Sequence, residues 1–210
     1  MKDPYRIIAK KYDRVFGRMV EGLRIAGLRI VRPSGGMNIL DVGCGTGRFL
    51  GLFHRYGCNL YGLDQSPSML DVAKGRLGDT ARLEYGNAIS MPYENRKFDL
   101  IISMLTLHEM SQQTRLKVIS EMKRVLKNDG RMLLIDYQPG PYKTLQGWLY
   151  KVIIFLSELG AGREHFSNYR QFLSQKGLSA LAALNELEIV KQNVLAGGTF
   201  AVLVLSLRSS

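Results

Sequence analysis

Apolar residues recur at helical spacing through the N-terminal stretch, at Ile7, Ile8, Val15, Met19, Leu23 and Ile30. Gly17, Gly22 and Gly27 interrupt them, and the pattern predicts one or two helices between Pro4 and Val31. Pro33-Ser34-Gly35-Gly36 ends that region. Short apolar runs then alternate with amphipathic segments: strand Asn38–Val42, helix Arg48–Tyr56, strand Asn59–Leu63, helix Ser68–Leu77, strands Ala81–Tyr85 and Phe98–Met104, helix Ser111–Leu126, and strand Arg131–Tyr137 after a closing "KNDG". Such alternation predicts an α/β fold, a mostly parallel sheet with helices on both faces. The last quarter differs. "TLQGWLYKVIIFLSELG" and "HFSNYRQFLSQKGLSALAAL" read as helices, and "LEIVKQNVLAGGTFAVLVLSL" as two strands joined through Gly197-Gly198, an antiparallel hairpin at the sheet edge.

Within this pattern "NILDVGCGTGRFLGLF" sets Gly43, Gly45 and Gly47 directly after the first strand. In a doubly wound sheet that is the ligand crevice. The dinucleotide fingerprint is not met, because Arg48 stands where its third glycine belongs, and no Gly-Lys-Ser/Thr follows to make a phosphate loop. Asp41 at the strand end disfavours a pyrophosphate and suits a ligand carrying an amine. Asp64, at the end of the second strand in "YGLDQS", suits a ribose. In "GNAISMPY", Asn87 and the backbone of Ala88 suit the edge of a purine.

Composition narrows the setting. With 210 residues and 46% hydrophobic content, one soluble domain is expected. Two cysteines are too few for a disulfide framework, and no run approaches the ~20 apolar residues of a membrane span. The N-terminal "MKDPYRIIAKKYDR" lacks the apolar core of a signal peptide, so a cytoplasmic location is expected. The net charge of +11 does not choose among nucleic acid, anionic lipid and an acidic substrate; its basic residues are dispersed and read as a solvated face, and with no RNA-binding module or Asn-Pro-Pro-Tyr motif nucleic acid is not the expected partner.

The segments "LDVGCGTGRF", "GLDQSPSML", "GNAISMPY", "FDLIISMLTLHEM" and "EMKRVLKNDGRMLLID" together resemble the successive motifs of class I S-adenosylmethionine-dependent methyltransferases, from about Ile39 to Asp136. Amine, ribose and purine are the parts of that cofactor. "IAKKYDR" is similar to the N-terminal motif of the ubiquinone/menaquinone-biosynthesis group within the family. One departure is Asn87, where the family usually has an acid. The resemblance implies a Rossmann-like, doubly wound, seven-stranded sheet. It implies a helical lid at 1–36, a cofactor-binding core at 37–137, a substrate-cover insertion at 138–184 and a terminal hairpin at 185–210. It further implies that S-adenosylmethionine, leaving as S-adenosylhomocysteine, meets Tyr12, Asp41, Gly43, Cys44, Gly45, Asp64, Gln65, Met69, Asn87, Ala88 and Met104. The acceptor would be a small or lipophilic, quinone-like molecule; an RNA acceptor and a non-catalytic cofactor-binding module are the alternatives.

A methyl group on a sulfonium needs alignment more than side-chain chemistry, though a hydroxyl or acidic-carbon acceptor gains from a base. His108, in "SMLTLHEM", is a candidate base or orienting group, or else a helix-start histidine bonded to backbone. His165, in "GREHFSNYRQFL", is a candidate substrate-site residue, or else a satisfied surface histidine. Glu109 reads as a solvated or capping carboxylate and His54 as structural. "WLYKVIIFL" reads as core packing, as the wall of a substrate pocket, or as a patch for peripheral membrane contact. The oligomeric state is left open.

Overall fold

The computed structural model describes residues 3, 5–6, 9–142 and 144–208, with the backbone alone at 10–19 and 146. In chain order the elements are α1 (Ala9–Val31), β1 (Asn38–Val42), a 3-10 helix (Leu50–Tyr56), β2 (Asn59–Asp64), α2 (Pro67–Leu77), β3 (Ala81–Tyr85), β4 (Phe98–Met104), a 3-10 turn (Leu107–Glu109), α3 (Gln112–Val125), β5 (Leu126–Tyr137), α4 (Leu145–Gly160), α5 (Arg163–Ser174), α6 (Gly177–Leu184), β6 (Leu187–Leu195) and β7 (Phe200–Leu207).

The strands form one seven-stranded sheet in the order β3-β2-β1-β4-β5-β7-β6. β1 pairs in parallel with both β2 and β4, so the order reverses there, and the carboxyl end of β1 opens onto a crevice. β7 lies antiparallel to β5 and to β6. This is the expected sheet with its terminal hairpin.

Period-two alternation splits the core into two layers. Leu40, Val42, Ile101, Met132 and Leu134 face one side and meet Val118, Ile119 and Met122 of α3 with Phe172 of α5. Ile39, Leu100, Ile102, Leu133 and Ile135 face the other and meet Val20, Leu23 and Leu28 of α1 with Phe53 of the first 3-10 helix. Truncating one such Leu or Ile to Ala costs about 2–5 kcal/mol, so both layers hold the strand ends rigidly.

The N-terminal region, expected as one or two helices, is the one helix α1 over its described residues. Three expected elements differ. The segment after the glycine turn winds as a 3-10 helix over Leu50–Tyr56 rather than an α-helix from Arg48, and ends at Gly57 with φ 69°. "KNDG" is no helix-closing turn: Leu126 is already extended (φ −77°, ψ 137°) and pairs with Phe98, and Lys127–Gly130 bulge out before Arg131 rejoins β4 opposite Leu100. The helix read over His165–Leu184 is two, broken where Lys176 (φ 65°) and Gly177 (φ 61°) turn left-handed.

Candidate functional site

The crevice at the carboxyl ends of β1 and β2 is a cavity of about 210 Å³. Its floor is the glycine turn. Gly43 takes φ 75°, and a Cβ there would stand 2.5 Å from Thr106 Cγ2. Gly45 takes φ 52° with nothing within 4 Å of its Cβ position, so the turn offers bare backbone and free space. Gly47 gives room to a neighbouring helix. Its Cβ would meet Leu77 Cδ1 of α2 at 2.8 Å, so it admits α2 rather than the segment that follows it in sequence.

Two carboxylates face this space from the strand ends. Asp64 fastens the turn, with Oδ2 accepting from Gly45 N–H at 2.8 Å and Oδ1 from Ser66 N–H at 2.8 Å. Burial raises its pKa, and these amide bonds oppose the rise. Asp41 is buried, and its carboxyl is pushed up to about 8 by burial and by the charge of Asp64, with Arg24 pulling the other way. A buried acid pair of this kind fits a ligand that brings a positive charge.

Cys44, Met69, Ala88 and Met104 line the same cavity, with Gln65 and Asn87 more exposed. Cys44 Sγ lies 2.9 Å from where Gly62 would carry a Cβ, so the thiol packs on β2 and a side chain at position 62 would collide with it. The amide oxygen of Asn87 accepts from Ile89 N–H at 3.1 Å and fixes its own loop. The side chain of Tyr12 lies outside the described residues. Asp3 and Tyr5 cross the cavity mouth: Asp3 accepts from Ser66 Oγ (2.8 Å) and Ser68 N–H (3.0 Å), while the Tyr5 hydroxyl donates to Glu109 at 2.8 Å.

Beside it lies a second cavity of about 250 Å³. Tyr5, Val20, Leu105 and Glu109 line both. Leu105, at φ 54°, holds a left-handed turn between them, a conformation that costs a non-glycine residue about 1–3 kcal/mol and persists where the surroundings enforce it. Glu109 is not the solvated carboxylate expected: it lies between the cavities and burial raises its pKa.

Both candidate histidines belong to the second cavity. His108 is buried, and the N–H groups of Leu107 and His108 donate to Asp136 Oδ2 at 3.1 and 3.2 Å, fixing the turn that carries it. Its Nδ1 lies 2.7 Å from Asp136 Oδ1. Glu158, from the last turn of α4, lies 2.6 Å from His165 Nε2 and 3.5 Å from His108 Nε2, and accepts from the Tyr137 hydroxyl at 3.0 Å. Burial alone would lower His108, but the charge and hydrogen bond of Asp136, joined by Glu158, carry it up to about 10. Burial would raise Glu158, and the two imidazoles overrule it, down to about 2. His165 is raised by Glu158 against the same burial effect. His108 is thus neither bonded only to backbone nor a free neutral base. His165, partly exposed, is satisfied by Glu158.

Asp3, Arg24, Asp136, Tyr137 and Glu158 were not singled out from the sequence. Glu158 had a visible signal, a lone acid closing the apolar run "WLYKVIIFLSELG".

α4 is inverted. Its inward positions are Gly147, Ile154 (2% exposed) and Glu158 (5%), while Leu145 (88%), Leu149 (58%) and Leu156 (61%) are exposed with Trp148, Val152, Phe155 and Leu159, and Ile153 stands at the edge of the second cavity. The core-packing reading of "WLYKVIIFL" therefore holds for Ile154 and, in part, for Tyr150, and not for the exposed side chains of that run. No helix among the described residues is long and apolar enough to cross a membrane.

Comparison with known proteins agrees with this architecture. Residues 40–134 match the family described as "Methyltransferase domain". Over 196 residues, 88% of this chain and 83% of the relative, the sequence is 29% identical to the demethylmenaquinone methyltransferase of Thermotoga maritima. Two solved structures share the fold. The PH0226 protein of Pyrococcus horikoshii has a TM-score of 0.70 and 19% identity, over 94% of this chain and 99% of that one. Geranyl diphosphate C-methyltransferase of Streptomyces coelicolor, solved with S-adenosyl-L-homocysteine, has a TM-score of 0.63 and 16% identity, over 90% and 80%. With the glycine turn, the acids at the ends of β1 and β2 and the strand order, these matches support an S-adenosylmethionine-dependent methyltransferase, similar over residues 40–134 to the methyltransferase domain family and along most of its length to a demethylmenaquinone methyltransferase.

Proposed function

We propose that the chain methylates a small lipophilic acceptor, quinone-like in character, which meets the cofactor from the second cavity. One observation carries this reading: the second cavity adjoins the cofactor crevice and combines apolar wall residues, among them Val20, Leu105, Ile153 and Ile154, with the polar cluster His108, Glu158 and His165. An acceptor with an apolar body and one or two oxygens fits that division. The name carried by the Thermotoga relative supports the same class.

On the cofactor side, Asp41 takes the amine and Arg24 the carboxylate of the methionine part. The backbone at Gly43 and Gly45 lets that part lie close, with Cys44 behind it. Asp64 takes the ribose from its remaining lone pairs, beside Gln65. Asn87 and Ala88 take the adenine edge, and Met69 and Met104 supply apolar contact. When bound, S-adenosylmethionine supplies an electrophilic methyl group. The rest is alignment and exclusion of water. His108 and His165 orient the acceptor's oxygen from the polar end, and Leu105 and Glu109 border the passage between the two ligands. The N-terminal segment closes the mouth through Asp3 and Tyr5, as the helical lid of this single domain.

The outward apolar face of α4 suits peripheral contact with a lipid surface, from which such an acceptor is drawn. Lys151 lies 5.0 Å from the Trp148 ring, an aromatic-basic pairing suited to a headgroup layer, and the net charge of +11 favours anionic lipid. The test is methyl transfer from labelled cofactor to quinols and phenols in vesicles, to water-soluble metabolites and to tRNA. Label in the vesicle fraction is expected. Label confined to tRNA or to polar metabolites overturns the reading.

A further inference from the structure

Three side chains from three elements aim basic atoms at one another on the wall of the second cavity. His108 comes from the turn after β4, Glu158 from the end of α4 and His165 from the start of α5, and their ligand atoms all lie within 4.8 Å of one another. The Glu158 carboxylate stands between the imidazoles, 3.5 Å from one Nε2 and 2.6 Å from the other.

The partner of His108 Nδ1 is already fixed. Asp136 receives that nitrogen at 2.7 Å while accepting the amides of Leu107, His108 and Tyr137, so it is an acceptor and Nδ1 carries the proton. Nε2 then faces Glu158. An imidazole lone pair and a carboxylate that converge in a buried site require a positive centre between them, either a proton or a metal ion. A carboxylate behind an imidazole, fixing its tautomer and raising its basicity, is the outer-sphere arrangement that metal centres use. Glu158 has its own outer partner in the Tyr137 hydroxyl at 3.0 Å.

We propose that His108 Nε2, His165 Nε2 and the Glu158 carboxylate bind one divalent first-row transition-metal ion, zinc or iron(II), with its open coordination positions turned to the second cavity. Two imidazoles and one carboxylate suit these borderline ions, whereas magnesium and calcium select oxygen donors. Metal–nitrogen bonds of about 2.0–2.1 Å set neighbouring ligand atoms roughly 3–3.4 Å apart, so the Glu158–His165 pair at 2.6 Å has to open, while the widest pair, within 4.8 Å, has to close. The open positions would take a hydroxyl or carbonyl oxygen. The site itself does not depend on which acceptor is methylated.

The test uses untagged protein, stripped with a chelator, titrated with zinc by calorimetry and with cobalt(II) by visible absorption. One equivalent per chain is expected. His165→Ala and Glu158→Gln should each lose that equivalent while keeping the circular-dichroism spectrum, and Asp136→Asn should weaken it by about 10–100-fold. His165 is partly exposed, so its removal is the variant least able to disturb the fold and decides the matter if Glu158→Gln unfolds. Absence of zinc and cobalt binding to the wild-type chain, or an equivalent kept at unchanged affinity in His165→Ala, overturns the proposal.

Discussion

Asp41 and Glu158 are both buried carboxylates, each on one of two adjoining cavities, and their surroundings drive them in opposite directions. Asp41 is pushed up to about 8 because its strongest partner besides burial is another acid, Asp64. Glu158 is pulled down to about 2 because two imidazoles flank it. The building material differs as well. The first cavity has backbone at glycines that leave room for a ligand; the second is made of side chains from the turn after β4, the end of β5, α4 and α5. The contrast separates a site completed by a cationic ligand from one whose positive charge is already held close to its acid.

The largest expected effect strikes the backbone-built side. Gly43→Ala should lose about 1–3 kcal/mol to the strain of a positive φ and a further amount of about 1–3 kcal/mol to overpacking against Thr106, read by urea denaturation. Gly45→Ala, with open space at its Cβ position, should lose only the strain and yet bind the cofactor poorly. Equal stability losses in the two variants would show that backbone strain alone sets the cost and that packing against Thr106 adds nothing. Next comes Asp64→Ala, which removes the acceptor of Gly45 N–H as well as a ligand group. Affinity for S-adenosylhomocysteine should fall by about 1.5–3 kcal/mol in calorimetric titration.

The pH dependence sharpens the comparison. Between its ordinary value of 3.8 and the folded value of about 8, Asp41 stays protonated in the folded chain and ionises in the unfolded one. Its raised value therefore favours the ligand-free fold at low pH, and that advantage is lost as pH rises through this window and stays level above it. Ligand affinity runs the other way, because the amine needs the ionised acid. Below pH 8 affinity for S-adenosylhomocysteine should drop by up to about tenfold per pH unit, with proton release visible as a buffer-dependent binding enthalpy. An affinity that is flat from pH 6 to about 9 would mean that Asp41 does not meet the amine. Smallest in stability is the outer face of α4. Leu149→Ser with Leu156→Ser should change the unfolding free energy by no more than about 0.5 kcal/mol each, while co-sedimentation with anionic vesicles is lost. Unchanged sedimentation would remove the lipid-surface contact.

The first half of the chain was legible because each of its site groups directly follows an apolar strand. Asp41, Gly43 and Asp64 stand at strand ends where the parallel topology gathers them, so sequence order and spatial order coincide. The second cavity gave less away. Asp136 ends β5, Glu158 ends α4 and His165 opens α5, and nothing local says that these three meet. α4 also reverses the usual rule, with its lone acid facing in and its leucines facing out, so its apolar run reads naturally as core. The KNDG bulge and the break at Lys176 were missed for a related reason: pairing with β4 and a left-handed residue overrode local signals that favoured a turn and a continuous helix.

The central claim is that the cofactor lies on the glycine turn with its reactive end toward the second cavity. A crystal structure of the S-adenosylhomocysteine complex tests it most directly. The ligand should lie over Gly43 and Gly45, its amine against Asp41 and its ribose on Asp64, with the sulfur facing Leu105 and Glu109. A ligand bound elsewhere, or lying in the crevice with its sulfur turned away from Leu105, would contradict the account.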